Sequence, residues 1–133
     1  PPPPRSTRLN CRRQRQMCIR DRCALGNVLS SVTIPKIKAK VIAGAANNQL
    51  STEEDGARLA ERDILFAPDY VINAGGIITV SREYDGGSSE EEVRDEVAHI
   101  PERLEMIFKE AKQTQQPTNM IADELARRIV AGA

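Results

Sequence analysis

The chain has 133 residues, no tryptophan and a formal net charge of zero from 19 basic and 19 acidic side chains. This length can form one core but excludes a two-domain enzyme whose active site lies in a cleft between domains. No apolar run approaches the roughly 20 residues needed to span a bilayer, and the N-terminus is not that of a secretory signal peptide. We therefore expect a soluble, cytoplasmic protein with no membrane contact.

The first 22 residues differ in composition from the rest of the chain. They carry seven arginines and one acid, whereas residues 23–133 carry 12 basic and 18 acidic side chains. Because the segment has few apolar residues and no periodicity, we expect it to be disordered and non-native in origin. The alternative is a basic arm for an anionic partner. Nucleic acid is a poor candidate for that partner, since the segment has no aromatic side chain to stack on bases.

All three cysteines lie within or beside this basic segment, at Cys11, Cys18 and Cys23. Their spacing matches neither a CxxC zinc site nor a disulfide framework. The only histidine, His99, is remote in the sequence and is expected on the surface. The sequence therefore predicts reduced thiols and no metal site.

From Cys23 onward, turn signals alternate with apolar runs as in βα units. Residues 23–34 predict a turn in which Gly26 starts a short amphipathic stretch, and this stretch ends before Pro35. Residues 39–45 predict a strand that is buried on both faces. Ser51 and Thr52, three residues before acidic side chains, predict a capped helix start.

Residues 64–76 predict a strand, a Pro-bearing turn and a second strand that ends in small residues. A helix is expected to follow from Ile77 to about Tyr84. Beyond it, Ser88 and Ser89 fit capping boxes for a long helix, which Pro101 should bend or split. The apolar stripe of that helix comprises Val93, Val97, Ile100, Leu104, Ile107 and Ala111.

Pro117 opens the last segment, where Ile121, Leu125 and Ile129 form the stripe of a final helix. We expect this helix to have nothing to pack on within the chain. The fold class is therefore α/β. We expect residues 23–84 to form the βα part of the chain and residues 85–133 to form C-terminal helices.

Three motifs then identify a family. They are CALG at 23–26, VIAGAANNQL at 41–50 and APDYVINAGGIITV at 67–80. In this order and spacing they resemble the Glu/Leu/Phe/Val amino-acid dehydrogenases, closest to the leucine and valine enzymes, and the resemblance covers residues 23 to about 133. It implies that residues 23–84 are part of a Rossmann-like, NAD-binding domain, built on its later parallel strands. It also implies oxidative deamination of an L-amino acid to a 2-oxo acid and ammonium, and a homo-oligomer.

The resemblance also implies a cofactor site. In the family, the asparagine matching Asn47 lies beside the nicotinamide ribose, and the one matching Asn73 hydrogen-bonds the nicotinamide carboxamide. Ala24 matches a position whose backbone borders the cofactor. A side-chain amide suits this task because it offers both a donor and an acceptor. The alternative is that Asn47, Asn48 and Asn73 are turn formers that tolerate left-handed backbone.

A substrate pocket is implied at Gly75, Ile77 and Val80, which match positions near the substrate side chain. Ile77 and Val80 lie about one helical turn apart and are apolar. They favour a hydrophobic, branched-chain amino acid over glutamate, whose carboxylate would be costly to bury there. Ordinary core packing of Ile77 and Val80 is the alternative, and Gly75 with Gly76 could be turn glycines that need positive φ.

The family's catalytic lysines and aspartate lie on an N-terminal domain that has no counterpart here, and the chain contains no GxGxxG motif for the pyrophosphate. We therefore expect no catalytic residue in this chain, no turnover by the chain alone and weak or no NAD binding. The sequence leaves a second function open, a non-catalytic module that pairs with dehydrogenase subunits or with an anionic partner.

Overall fold

The computed structural model describes residues 26–84, 86–87 and 89–132. The predictions for residues 1–22, for the three cysteines, for Ala24 and for Ser88 lie outside the described residues. Within them, a parallel sheet is formed by β1 (Val41–Ile42) and β2 (Leu65–Phe66). The helices, besides a 3₁₀ turn at Ile34–Lys36, are α1 (Glu54–Glu61), α2 (Asp69–Ile72), α3 (Gly75–Tyr84), α4 (Glu90–Ala98), α5 (Ile100–Thr114) and α6 (Thr118–Val130).

The parallel β1–α1–β2 unit confirms the predicted α/β class. Val41 pairs with Leu65 and Ile42 with Phe66. Successive strand residues point to opposite faces, and only Ile42 and Phe66 are buried. Burial of β1 on both faces is therefore a wrong expectation, because one apolar core covers one face of the sheet. This first core consists of Leu29, Ile34, Ile37, Ile42, Leu59, Ile64 and Phe66.

The stretch before β1 is not an amphipathic segment that stops at Pro35. Leu29 forms an isolated parallel bridge with Leu50, and the Thr33 hydroxyl donates to the Val28 carbonyl at 2.6 Å. Pro35 lies inside the 3₁₀ turn rather than after an element. Proline is accepted there because the first residues of a helix have no intrahelical partner for their N–H groups.

The helix predicted after Thr52 is confirmed as α1, and its start is held by Asp55. Oδ2 of this buried carboxylate accepts hydrogen bonds from the backbone and the hydroxyl of Thr52, each at 3.1 Å. Its Oδ1 accepts from Arg58 at 2.7 Å. The arrangement is not a capping box, because the Thr52 hydroxyl donates to Asp55 instead of accepting from a helix N–H, and the N-cap residue Glu53 makes no side-chain cap.

The second strand predicted within residues 64–76 is wrong, because residues 69–72 form the helix α2. Pro68 precedes the helix and Asp69 lies in its first turn. Both are helix-start signals that outweigh the short apolar run. The following helix, α3, is confirmed and begins at Gly75, two residues before the predicted start.

The C-terminal helices begin and break where their capping residues and prolines predict. Ser89 and Glu92 form a complete capping box at the start of α4. The long predicted helix is split at His99, with Pro101 in the first turn of α5. His99 is exposed and lies 3.0 Å from the Glu102 carboxylate. None of the helices in the described residues is long and apolar enough to cross a membrane.

The last helix packs against the rest of the chain, so the expectation that it has no packing partner is wrong. Ile121 and Ala122 join Ile107 and Ala111 in a second apolar core between α5 and α6. The hydroxyl of Thr118 also donates to the Phe66 carbonyl at 2.7 Å. The start of α6 is thereby attached to β2.

Candidate functional site

The site is built around the asparagine loop, residues 43–48, which leaves β1 at its carboxyl end. On one side this loop is held by the backbone of residues 26–29. The Asn27 N–H donates to the Asn48 carbonyl at 2.6 Å, and the Leu29 N–H donates to the Gln49 carbonyl at 2.9 Å. The carboxyl ends of parallel strands are where such folds bind ligands.

Gly26 permits this close approach. A Cβ at that position would lie 3.2 Å from the Asn48 carbonyl oxygen and 3.3 Å from that of Asn47. No helix follows Gly26 before the 3₁₀ turn, so Gly26 does not start an amphipathic helical stretch. Its role is to let the segment before β1 lie against the asparagine loop.

On its other side the loop is held by α2 and the residue that ends it. The Asn48 N–H donates to Oδ2 of Asp69 at 2.6 Å. Nδ2 of Asn73 donates to the Ala45 carbonyl at 2.9 Å and to Oδ1 of Asn47 at 2.8 Å. Two residues singled out from the sequence, Asn47 and Asn73, are therefore in direct contact, and we call their side chains the amide pair.

The hydrogen bonds define which atoms of the amide pair are free to bind something else. The Ala45 carbonyl can only accept, which orients Nδ2 of Asn73 towards it and leaves the Asn47 oxygen as the second acceptor. Within the described residues, Oδ1 of Asn73 and Nδ2 of Asn47 have no hydrogen-bond partner. The pair thus offers one acceptor and one donor to a ligand.

Only one of the three asparagines has the left-handed backbone that the alternative, a turn former without a ligand contact, would require. Asn48 has a left-handed backbone with φ of 54°, whereas Asn47 and Asn73 do not have positive φ. Asn73 ends α2 with φ of −100°. Its side chain is engaged across the loop instead.

The predicted substrate residues lie on α3, which begins two residues after Asn73. Ile77 and Val80 are 68% and 59% exposed, so ordinary core packing does not explain them. Ile78, between them in sequence, is buried. Gly75 and Gly76 do not have positive φ, so the turn-glycine alternative is wrong as well.

Asp69 was missed by sequence reasoning. Its side chain is almost wholly buried, at 6% exposure, and it anchors the loop that carries Asn47. A local signal existed, because an acid directly after proline is typical of a helix start. Its second role, as acceptor for a backbone 21 residues earlier, has no local signal.

A cleft of about 800 Å³ lies elsewhere on the molecule, between α1, β2 and the connection from α5 to α6. Its lining includes Phe66, Phe108, Lys112 and Thr118, and it contains none of the residues of the amide pair or of α3. The described residues also contain no group of His, Cys, Asp or Glu that could hold a metal ion. Among the described residues, we therefore take the asparagine loop as the candidate site.

A parallel βαβ unit, with an amide-bearing loop at the carboxyl end of its first strand, is the architecture of part of a doubly wound α/β domain. The family model for Glutamate/Leucine/Phenylalanine/Valine dehydrogenase matches residues 19–133, and the chain belongs to this family. The family assignment made from the three motifs is thereby confirmed.

Similar proteins include the leucine dehydrogenase of Geobacillus stearothermophilus, 44% identical over 108 residues, which are 81% of this chain and 29% of that protein. The L-tryptophan dehydrogenase of Nostoc punctiforme is 49% identical over 105 residues, covering 78% and 30% of the two chains. A crystal structure of L-tryptophan dehydrogenase from Nostoc punctiforme superimposes with a TM-score of 0.77 and 46% identity, covering 83% of this chain and 33% of that one. The chain spans under a third of the length of these curated relatives.

Proposed function

We propose that this chain supplies the nicotinamide side of the active site in an NAD-dependent dehydrogenase that converts a hydrophobic L-amino acid to a 2-oxo acid and ammonium. The observation that carries the proposal is the amide pair, because Asn73 and Asn47 lie in contact at the carboxyl end of β1. The homo-oligomeric assembly implied by the family resemblance and the cytoplasmic location expected from the sequence belong to the same proposal.

The free atoms of the amide pair fit a nicotinamide carboxamide. Such a group offers one carbonyl oxygen and one NH₂, and the pair presents Oδ1 of Asn73 as acceptor and Nδ2 of Asn47 as donor. When bound, NAD supplies the acceptor for the hydride that leaves the amino acid. The task of the pair is to orient the ring by hydrogen bonds before that transfer.

The hydrogen bond between Asn73 and Asn47 helps to fix the orientation of the Asn73 side chain. Because Nδ2 of Asn73 is committed to Ala45 and Asn47, the side chain cannot flip without losing two hydrogen bonds. The acceptor at Oδ1 is therefore held in one orientation. Such preorganisation lowers the cost of binding an amide ligand.

The proposed amino-acid side chain contacts the start of α3. Ile77 and Val80 offer exposed apolar surface about one turn apart, and Gly75 adds no side chain of its own. Burial of a glutamate carboxylate against this surface would leave the charge without a partner. Relatives named for leucine, tryptophan and phenylalanine are in keeping with an apolar substrate.

The test is a chimera in which residues 26–132 replace the matching segment of the leucine dehydrogenase of Geobacillus stearothermophilus. NAD reduction is followed at the nicotinamide absorbance with leucine, valine, phenylalanine, tryptophan and glutamate. We expect turnover of hydrophobic amino acids and little with glutamate. A folded chimera without turnover of any of them contradicts the proposal, and a preference for glutamate contradicts its substrate part.

A matched pair of variants of the chimera tests whether Ile77 contributes to the selectivity for hydrophobic amino acids. Ile77→Ala removes exposed apolar surface from α3 and is expected to raise KM for leucine. Met106→Ala removes similar surface from an exposed position on α5 and should leave KM unchanged. Equal changes of the KM for leucine in the two variants would exclude a direct contact between the substrate side chain and Ile77.

A further inference from the structure

The asparagine loop depends on a carboxylate that lies outside it. Asp69, in the first turn of α2, is 6% exposed. Its Oδ2 accepts the Asn48 N–H at 2.6 Å. A short hydrogen bond from a backbone N–H to a carboxylate is about twice as strong as one between neutral groups.

The bond holds the loop at its left-handed residue. Asn48 has φ of 54°, a conformation that asparagine tolerates better than most residues with a side chain. Asn47 directly precedes Asn48, so the direction of the Asn47 side chain depends on this peptide. Loss of the Asp69 acceptor would release the peptide and the Asn47 side chain together.

The same short helix contacts the loop twice. Asp69 and Asn73 are four residues apart, which places them on one side of α2. Asp69 accepts from Asn48, and Asn73 donates to Ala45 and Asn47. The helix itself is seated by Val71, which packs against the second apolar core. Asp69 as acceptor and Asn73 as donor, on a helix held in place by its packing, therefore set the path of the asparagine loop.

We propose that Asp69 is a positioning residue for the amide pair. It acts through the Asn48 N–H, and it fixes the distance between the side chains of Asn47 and Asn73. The consequence for cofactor binding rests on the proposed function. The positioning itself is a property of the chain without any ligand, so it is tested separately.

The experiment measures amide hydrogen exchange and side-chain NH₂ resonances of the ¹⁵N-labelled 133-residue chain. In Asp69→Ala we expect the Asn48 amide to exchange about tenfold faster and the Asn73 NH₂ resonances to shift. Asp69→Asn retains a weaker, neutral acceptor, and its Asn48 exchange should fall between the two. Asp95→Ala, which removes an exposed acid from α4, should change neither signal.

The graded response separates positioning from a general loss of stability. The inference is overturned if Asp69→Ala and Asp69→Asn leave Asn48 unchanged, or if they accelerate core amides such as Leu59 by the same factor. If Asp69→Ala does not fold, Asp69→Asn alone tests the inference. The inference then requires that amide exchange in Asp69→Asn become faster at Asn48 and not at core amides. In the chimera described above, Asp69→Asn is expected to raise KM for NAD more than it lowers kcat.

The two proposals fail in different ways. A chimera without turnover, together with the graded exchange at Asn48, would reject the proposed function and support the positioning role. Turnover with no response at Asn48 would reject the positioning role and support the function.

Discussion

Gly56→Ala is expected to destabilise the chain, although the same change stabilises most helices. A helical glycine replaced by alanine normally gains about 1 kcal/mol. Gly56 lies in α1 against Asn119 of α6, and a Cβ on Gly56 would lie 2.6 Å from Cγ of Asn119 and 2.9 Å from its Nδ2. Asn119 is 5% exposed and has little room to move aside.

The expected loss of unfolding free energy comes from overpacking at Asn119 and from the loss of one of its hydrogen bonds. Overpacking of this kind costs about 2 kcal/mol, and rotation of the amide breaks its bond from Nδ2 to the Glu53 carbonyl, at 3.3 Å, for about 1 kcal/mol more. After the gain in helix propensity, we expect a net loss of about 2 kcal/mol of unfolding free energy.

Urea unfolding followed by circular dichroism measures the effect, with Gly76→Ala as the matched control. Gly76 lies in the first turn of α3, and a Cβ there would meet no heavy atom within 4 Å. The control should gain up to about 1 kcal/mol. Adding Asn119→Ala to Gly56→Ala should recover stability. A gain from Gly56→Ala equal to that of the control would refute the contact between α1 and α6.

Two further predictions concern pH and capping. Tyr70→Phe removes a hydroxyl that donates to Oδ1 of Asp123 at 2.6 Å, which should cost about 1 kcal/mol. Burial, and then the Asp123 carboxylate, raise the pKa of the Tyr70 phenol. The hydroxyl of Tyr70 therefore stabilises the folded chain fully at pH values below the ordinary tyrosine pKa of about 10, and less at higher pH. The difference in unfolding free energy between the unmodified chain and Tyr70→Phe should become smaller above that pH. A difference that grows would contradict this role of the hydroxyl. Ser89→Ala should cost about 1 kcal/mol at the start of α4, seen as faster exchange of the Glu92 amide. Hydrogen bonds from the Ser89 backbone and hydroxyl lower the pKa of Glu92, so this effect should shrink as the pH falls below the usual carboxyl range; an effect independent of pH in that range would argue against the capping box.

Elements governed by local signals could be predicted from the sequence. The capping box at Ser89 depends on residues three apart, and the break before Pro101 depends on one missing backbone donor. The βα unit that begins at β1 followed from its apolar run and the capped helix after it. In each case the deciding interaction lies within about one helical turn of the residue that signals it.

Elements governed by distant contacts could not be predicted in the same way. The start of the helix α2 has local signals in Pro68 and Asp69, but the contacts of Asp69 and Asn73 with a loop more than 20 residues earlier have none. The final helix finds its partner at Phe66, 52 residues away. The family motifs pointed to Asn47 and Asn73 as functional, whereas their mutual hydrogen bond and the contact of Asp69 with Asn48 became visible only in three dimensions.

The proposed contact between Asn73 and the nicotinamide carboxamide is tested most directly by the KM for NAD in the chimera. Asn73→Ala removes both the acceptor and the bond to Asn47, whereas Gln113→Ala removes an exposed amide from α5. We expect Asn73→Ala to raise KM for NAD at least about tenfold, with a smaller change in KM for leucine, and Gln113→Ala to change neither. An unchanged KM for NAD in Asn73→Ala would contradict the account.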